Sequence, residues 1–365
     1  MALQCGIVGL PNVGKSTLFN ALSNAKAQAA NFPFCTIEPN IGVITVPDER
    51  LEVLEKLVKP NRVVPATVEI VDIAGLVKGA SKGEGLGNQF LGNIRMTDAI
   101  LHVVRCFDDD NVIHVDGSVN PVRDKEIIDT ELQLKDLESI EKKVEKVQRA
   151  AKTGDKDAVR CLEVLSVYSH HLQTGQSARS APVNEEDKKY VADLNLLTAK
   201  PVMYVCNVEE SAVLNGNKHV DALKKAVANE NAEVLVISAA IEAEIAALDS
   251  YEDRVAFLSD LGLTESGVVR LIKSAYKLLN LQTYFTAGVQ EVRAWTIHKG
   301  MTGPKAASVI HTDFEKGYIR AETMAYDDFV KYGSEAACRA VGKLRSEGKE
   351  YVVQDGDILH FLFNV

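Results

Sequence analysis

The spacing of eight residues near the amino terminus predicts a phosphate-binding loop. Residues 9–16 read GLPNVGKS and match the pattern GxxxxGK[ST], between an apolar run that predicts a strand and a helical pattern. Backbone N–H groups and a helix amino terminus bind phosphate oxygens in such a loop, because both carry positive partial charge. Lys15 is expected to reach the β- and γ-phosphate oxygens, and Ser16 to bind Mg²⁺. The predicted nucleotide contacts of this loop are Asn12, Val13, Gly14, Lys15, Ser16 and Thr17.

Two further segments supply groups that a phosphate loop needs. An apolar, β-rich run ends in residues 72–75, DIAG, which is a DxxG pattern. Asp72 is predicted to hold Mg²⁺ through water, and the N–H of Gly75 to meet the γ-phosphate. Thr36 lies between these motifs and is expected to bind Mg²⁺ only when the γ-phosphate is present, with a plain loop threonine as the alternative. The glycine-rich segment 77–95 follows and is expected to become ordered with the nucleotide state.

The group that would activate the attacking water is unusual. Ras-like switch proteins often place a glutamine directly after DxxG, but the residue here is Leu76, so either slow hydrolysis or another catalytic group is expected. His114 lies in a polar loop beyond the next predicted strand, where open α/β sheets bind ligands, and is the candidate for this catalytic group. A solvated loop histidine is the alternative. His102 lies within that strand and is expected to be packed. Asn12 could help to hold K⁺ near the phosphates. The predicted catalytic set is Lys15, Gly75 and His114.

The segment that should read the base departs from the guanine pattern Asn-Lys-x-Asp. Residues 207–210 read NVEE, so Val208 takes the lysine position and Glu210 the aspartate position. The longer glutamate is not expected to meet the two guanine donors in the usual geometry, and the Asn207 amide can pair with an adenine edge. A third element, Ser238-Ala239-Ala240, stands where a base loop belongs. The interpretation favours ATP over GTP and keeps GTP as the alternative.

These motifs together resemble the Obg-like ATPase family, also called YchF. The resemblance rests on GLPNVGKSTLFNAL, NFPFCTIEPN, DIAGLVKGAS with GEGLGNQFL, and the degenerate NVEE, and it extends over nearly the whole chain. It implies a P-loop NTPase fold with a Ras-like, Obg-type G domain, an apolar residue in place of the catalytic glutamine, and a preference for ATP. It also implies association with the ribosome, through the large subunit and its RNA, and a part in translation regulation and stress responses.

The pattern of elements divides the chain into three parts. A P-loop α/β nucleotide-binding domain is predicted for residues 1–125 and 199–280. Residues 126–198 are expected to form an antiparallel helical coiled-coil insertion, because apolar residues recur at coiled-coil spacing; an ordinary surface helix pair is the alternative. The spaced residues are Leu137, Ile140, Val144 and Val147. For residues 281–365, which alternate as strands do, the family resemblance implies a β-grasp TGS domain with a docking role.

Charge and composition limit the partners and the compartment that are expected for the protein. The net charge of −10 argues against a surface that binds nucleic acid throughout. Residues 142–160 nevertheless hold seven basic and three acidic side chains, which could meet ribosomal RNA or form a merely solvated helix tip. No apolar run approaches the ~18 residues that span a bilayer, and no signal peptide is recognised, so a cytosolic protein without a membrane partner is expected. The six cysteines show no zinc spacing, and a monomer is the default expectation.

The sequence predicts a cytoplasmic, ribosome-associated switch that binds Mg²⁺–ATP and slowly hydrolyses it to ADP and phosphate. Two other functions stay open. One is a GTPase of ribosome assembly, which tighter binding of GTP than ATP would favour. The other is a non-enzymatic, nucleotide-gated interaction protein, which normal partner regulation in a hydrolysis-deficient variant would favour.

Overall fold

A computed structural model of the chain describes residues 3–28, 41–73 and 86–364. The strands are β1 (Gln4–Val8), β2 (Ile41–Thr45), β3 (Val63–Val64), β4 (Thr67–Asp72), β5 (Ala99–Arg105), β6 (Val202–Asn207), β7 (Val234–Ile237), β8 (Leu281–Ala287), β9 (Val292–His298), β10 (Tyr318–Met324), β11 (Arg345–Glu347) and β12 (Ile358–Phe363). The helices are α1 (Lys15–Gln28), α2 (Glu49–Val58), α3 (Leu86–Met96), α4 (Pro121–Lys152), α5 (Lys156–Gln173), α6 (Lys218–Ala226), α7 (Ala239–Ala247), α8 (Tyr251–Asp260), α9 (Gly267–Leu278), α10 (Gly303–Ser308), α11 (Thr312–Lys316), α12 (Tyr326–Tyr332) and α13 (Glu335–Ala340). Short 3-10 helices occur at Ala178–Ser180, Glu185–Tyr190, Ala192–Leu194, Leu197–Ala199 and Glu210–Ala212.

The first sheet has the strand order β2-β4-β1-β5-β6-β7. Its strands run parallel except β2, which pairs antiparallel with β4. Every residue of β5 and β6 is buried, as expected for apolar parallel strands that are covered on both faces. Because the carboxyl ends of β4, β1, β5, β6 and β7 share one edge, the loops that follow them converge there. This arrangement agrees with the predicted α/β class.

Helices α4 and α5 are joined by residues 153–155 and pack against each other. Ile140 of α4 and Leu165 of α5 belong to one buried apolar cluster, and the other predicted spaced residues of α4, namely Leu137, Val144 and Val147, are partly buried against it. Helix α4 begins at Pro121 and so crosses the predicted boundary at residue 126. A separate domain at 126–198 therefore stays a prediction.

A buried carboxylate ties α4 to the segment that returns to the first sheet. Asp136 is fully buried and accepts hydrogen bonds from the N–H groups of Leu197 (2.7 Å) and Thr198 (2.8 Å). The hydroxyl of Thr198 donates a third bond, at 2.7 Å. Burial raises the pKa of Asp136, and these hydrogen bonds act in the opposite direction. The three donors provide the partners that a buried carboxylate requires.

The second sheet has the order β11-β10-β12-β8-β9-β3. Its strand β8 begins at Leu281, but its edge strand β3 comes from the amino-terminal part of the chain and pairs in parallel with β9. Arg50 at the start of α2 adds a hydrogen bond of 2.8 Å to Asp355. Residues on both sides of the predicted boundary at 281 thus build this sheet, and its assignment as a TGS domain stays a prediction.

The cysteines of the described residues are all free and buried. They are Cys5, Cys106, Cys161, Cys206 and Cys338. Cys35 lies outside the described residues. Within residues 3–28, 41–73 and 86–364, no helix combines the length and apolar character needed to cross a membrane.

Candidate nucleotide-binding site

The predicted phosphate loop connects β1 to α1, and two close approaches explain its glycines. Gly14 has a φ of +95°, and a Cβ at this position would lie 2.3 Å from Nδ2 of Asn207. A Cβ at Gly9 would lie 2.4 Å from the carbonyl oxygen of Val103. Both distances are shorter than real Cβ contacts, so a larger residue at either glycine would push the loop away from β5 or β6. The loop therefore lies directly against the carboxyl ends of the neighbouring strands.

Lys15 lies in the first turn of α1 with its ammonium group folded back onto the loop. Nζ donates hydrogen bonds to the carbonyl oxygens of Gly9 (3.0 Å) and Leu10 (2.7 Å), and the residue is only 7% exposed. Burial lowers the pKa of Lys15 to about 8, although the nearby Asp72 carboxylate opposes this effect. Within the described residues, the hydrogen-bond partners of this buried ammonium group are carbonyl oxygens, which compensate its charge poorly, and anionic phosphate oxygens would compensate it better.

The end of β4 presents a carboxylate that fits a hard cation. Asp72 pairs in register with Ile7, one residue before the end of β1, and the hydroxyl of Ser16 hydrogen-bonds its carboxylate. Burial raises the pKa of Asp72, and Lys15 and Ser16 counteract this effect. Its Oδ1 is buried and has no hydrogen-bond partner within the described residues. An orphaned carboxylate oxygen beside a serine hydroxyl is a donor set that Mg²⁺ accepts. Thr36 and Gly75, the other predicted groups here, lie outside the described residues, as does Leu76.

One of the predicted base-reading residues, Asn207, contacts the same loop. Asn207 is 5% exposed, donates from Nδ2 to the carbonyl oxygen of Val13 at 2.9 Å, and accepts from the N–H of Ala239 at 2.9 Å. It thus joins the phosphate loop to the first residue of α7. Val208 is buried, whereas Glu210 is exposed. Ser238 is 1% exposed, and its hydroxyl has no hydrogen-bond partner among the residues described.

His114 lies in the loop between β5 and α4, which contacts the phosphate loop. Asn12 donates from Nδ2 to the carbonyl oxygen of Ile113 at 3.1 Å, and it adopts a φ of 61°. Nε2 of His114 lies 2.8 Å from Oδ2 of Asp124, and its Nδ1 accepts from the N–H of Asp116 at 3.1 Å. The His114 side chain is only 7% exposed, so it is not a solvated loop histidine.

The structure also identifies positioning residues that the sequence did not reveal. Arg105, at the end of β5, is 2% exposed and donates to the carbonyl oxygens of Phe107 (3.1 Å), Asp109 (3.0 Å) and Val112 (2.8 Å). It therefore fixes the start of the His114 loop. The sequence shows an arginine at the end of an otherwise apolar strand. Residue types do not reveal its partners, because these are backbone carbonyl oxygens.

His102 is packed, as expected for a residue inside β5. It is 2% exposed and its ring lies 5.5 Å from that of Tyr204. Burial, reinforced by Lys125, lowers the pKa of His102 to about 3, so the ring is neutral at physiological pH. It takes no part in the site.

Comparisons with known proteins show which families the chain is similar to. The family described as 50S ribosome-binding GTPase matches residues 4–208, and the carboxyl-terminal domain family of the YchF GTPases, described as a protein of unknown function, matches residues 281–364. The Ribosome-binding ATPase YchF of Escherichia coli O157:H7 is 56% identical over 365 residues, covering 100% of both chains. The protein of the same name from Bacillus subtilis (strain 168) is 56% identical over 367 residues, again covering 100% of both chains.

A solved structure has the same overall fold. The Schizosaccharomyces pombe YchF GTPase is 40% identical and aligns with a TM-score of 0.88, covering 99% of this chain and 97% of that one. Identity at this level over the full length, together with the phosphate loop and the carboxylate beside it, determines the family. The chain belongs to the YchF family of P-loop nucleoside-triphosphate hydrolases.

Proposed function

We propose that the protein is an ATP-hydrolysing switch that acts on the ribosome. The observation that carries the proposal is the juxtaposition of Lys15, folded onto carbonyl oxygens, with the unpartnered carboxylate oxygen of Asp72. Phosphate oxygens would give Lys15 anionic acceptors in place of carbonyl oxygens, and a cation would supply the partner that Oδ1 of Asp72 lacks within the described residues. Mg²⁺, when bound by Ser16, Asp72 and Thr36, would neutralise charge that develops on the phosphate oxygens.

Preference for ATP follows from what the base-reading residues can still offer. One hydrogen of the Asn207 amide is used on Val13, and the other can donate to N7 of a purine. Because adenine and guanine both carry that acceptor, Asn207 orients the base without choosing between them. Discrimination between adenine and guanine therefore depends on Val208 and Glu210. Val208 offers no side-chain donor, and Glu210 is too long for the usual bidentate contact with guanine. Ser238, Ala239 and Ala240 complete the proposed base site.

The proposed catalytic group is His114, because its loop is hydrogen-bonded to the phosphate loop through Asn12 and Ile113. An imidazole nitrogen can accept a proton from the attacking water near neutral pH. Leu76 cannot orient water, so turnover below about 1 s⁻¹ is expected without a partner. The proposed N–H of Gly75 would bind the γ-phosphate. Oδ1 of Asn12 would help to bind K⁺.

The proposed partner is the large ribosomal subunit and its RNA, which supports a cytoplasmic site of action and a part in translation regulation. The curated relatives named above are called ribosome-binding. On this chain, the end of the α4–α5 pair carries four exposed basic side chains for which no ion pair is found in the described part of the chain. They are Lys146, Arg149, Lys152 and Lys156. Unpaired cations on an acidic protein are suited to phosphate contacts.

A GTP-specific enzyme is the second candidate, because both the matched family and the S. pombe structure carry the word GTPase in their descriptions. Phosphate release from Mg²⁺–ATP and Mg²⁺–GTP separates the two. The proposal predicts slow release from ATP, little from GTP, and none from either with Lys15→Ala. Faster release from GTP would reject the ATP assignment, and equal release by wild type and Lys15→Ala would reject hydrolysis at this loop.

A further inference from the structure

The contacts of His114 define which of its nitrogens carries the proton. A backbone N–H can only donate, so Nδ1, which accepts from Asp116, carries no proton. Nε2 must then carry the hydrogen and donate it to Asp124. Both oxygens of Asp124 act as acceptors, because the other one accepts from Nε (3.1 Å) and Nη2 (2.9 Å) of Arg123. His114 is therefore a neutral imidazole whose only proton-accepting nitrogen is Nδ1.

The two contacts of the imidazole differ greatly in strength. The bond to Asp124 is charge-assisted and joins side chains that are 7% and 3% exposed. The bond to the N–H of Asp116 is a neutral one within an exposed turn, closed by Gly117 donating to the carbonyl oxygen of His114 at 3.1 Å. If the ring is to accept a proton, the weaker contact is the one that opens.

We infer that Asp124 is a positioning residue which holds His114 in the Nε2–H tautomer, so that Nδ1 becomes the proton acceptor in hydrolysis. This inference rests on the proposed function and deepens it. The turn at Asp116 then acts as a removable cap on Nδ1. A carboxylate that fixes the tautomer of a histidine and stabilises the imidazolium is an established arrangement in hydrolases.

In the proposed hydrolysis step, water replaces ADP on the γ-phosphorus and His114 accepts the water proton. The water oxygen forms a bond to the γ-phosphorus while the bond from that phosphorus to the bridging oxygen breaks, and ADP leaves with the electron pair. Nδ1 takes the water proton, which makes an imidazolium whose positive charge faces Asp124 through Nε2–H. The proton then passes to inorganic phosphate or solvent, and the neutral imidazole is restored.

The kinetics of four variants, each compared with the wild type, test the positioning role of Asp124. Asp124→Asn keeps the shape but removes the charge, and it is expected to lower kcat for ATP by about tenfold to a hundredfold with KM unchanged. His114→Ala is expected to lower kcat at least as far, and adding Asp124→Asn to it to cause no further loss. Asp129→Asn is the matched control, because Asp129 lies on the same helix and pairs with Lys125 instead. Normal kcat in Asp124→Asn or His114→Ala, or an equal loss from Asp124→Asn in both backgrounds, would overturn the inference.

A spectroscopic measurement on the wild-type protein keeps the test independent of folding and turnover. In ¹⁵N-histidine NMR spectra, the signals that vanish in His114→Ala are expected to show a protonated Nε2 and an unprotonated Nδ1. A protonated Nδ1 in the neutral ring would overturn the inference. If the wild type does not hydrolyse ATP, the proposed function fails, while the spectra still decide the tautomer that Asp124 imposes.

Discussion

Replacing Lys15 with methionine is expected to stabilise the nucleotide-free protein while it abolishes nucleotide binding. Methionine keeps an unbranched stem of similar length but removes a charge that is only 7% exposed. The pKa of Lys15 falls from 10.5 to about 8 because of burial, and at about 1.36 kcal/mol per pH unit this burial costs the folded state about 3 kcal/mol. The substitution also leaves the carbonyl oxygens of Gly9 and Leu10 without their donor, at a cost of about 1–2 kcal/mol. A net gain of about 1–2 kcal/mol in unfolding free energy follows at pH 7.

The pH dependence of this gain identifies its origin. The folded chain releases the Lys15 proton near pH 8 and the unfolded chain near pH 10.5, so the unfolded state binds more protons between these values. Wild-type stability therefore rises with pH in that window, relative to the variant. The advantage of Lys15→Met should disappear and reverse as the pH is raised from 8 to 10.5, because the neutral amine costs little to bury.

Urea denaturation followed by circular dichroism, without nucleotide or Mg²⁺, measures the difference between the two proteins at each pH. Lys224→Met, on the exposed face of α6, is the control and should match the wild type throughout. Adding ATP and Mg²⁺ at about 100 times the dissociation constant should stabilise the wild type by about 2.7 kcal/mol and leave Lys15→Met unchanged. A Lys15→Met protein that is less stable than wild type at pH 7, or a difference that stays constant from pH 8 to 10.5, would show that burial of the Lys15 charge does not destabilise the nucleotide-free protein.

Three further predictions follow from the contacts of the site. Gly14→Ala should lower the unfolding free energy by about 1–3 kcal/mol and weaken ATP binding, because its Cβ would displace Asn207. Denaturation measures the stability and calorimetry the affinity. An unchanged affinity would show that the contact between Gly14 and Asn207 does not support ATP binding. Arg105→Met should lower kcat for ATP with little change in affinity, because three carbonyl oxygens of the His114 loop lose their donor; an unchanged kcat would show that this loop needs no such support. Reversing the charge of four exposed basic residues should weaken ribosome binding in sedimentation assays and reduce the salt slope by about 3, whereas the double control Lys224→Glu/Lys225→Glu should not. The four residues are Lys146, Arg149, Lys152 and Lys156.

The sequence was sufficient for features that depend on spacing along the chain. The GxxxxGK[ST] pattern predicted the loop between β1 and α1, and the apolar spacing of Leu137, Ile140, Val144 and Val147 predicted the side of α4 that packs on α5. Asp72, Asn207 and Ser238 each follow or end an apolar run, so their meeting at one sheet edge was predictable from the parallel-strand topology.

Other features depend on contacts that residue types do not encode. The partners of Arg105 are carbonyl oxygens, which every residue carries. Asp124 reaches His114 only because α4 begins at Pro121 and turns its first carboxylate toward the loop. Strand β3 has two residues and is too short to show an alternating pattern in the sequence, but it joins the carboxyl-terminal sheet by pairing with β9. Such long-range pairings cross the boundary predicted at residue 281, and composition along the chain does not reveal them.

The proposed preference for ATP rests on the NVEE segment, residues 207–210. Isothermal calorimetry of the purified protein with Mg²⁺–ATP and with Mg²⁺–GTP tests it most directly. ATP is expected to bind at least about tenfold more tightly than GTP, a difference of about 1.4 kcal/mol. Equal or tighter binding of GTP would contradict the proposed preference for ATP and would make a GTPase of ribosome assembly the better description.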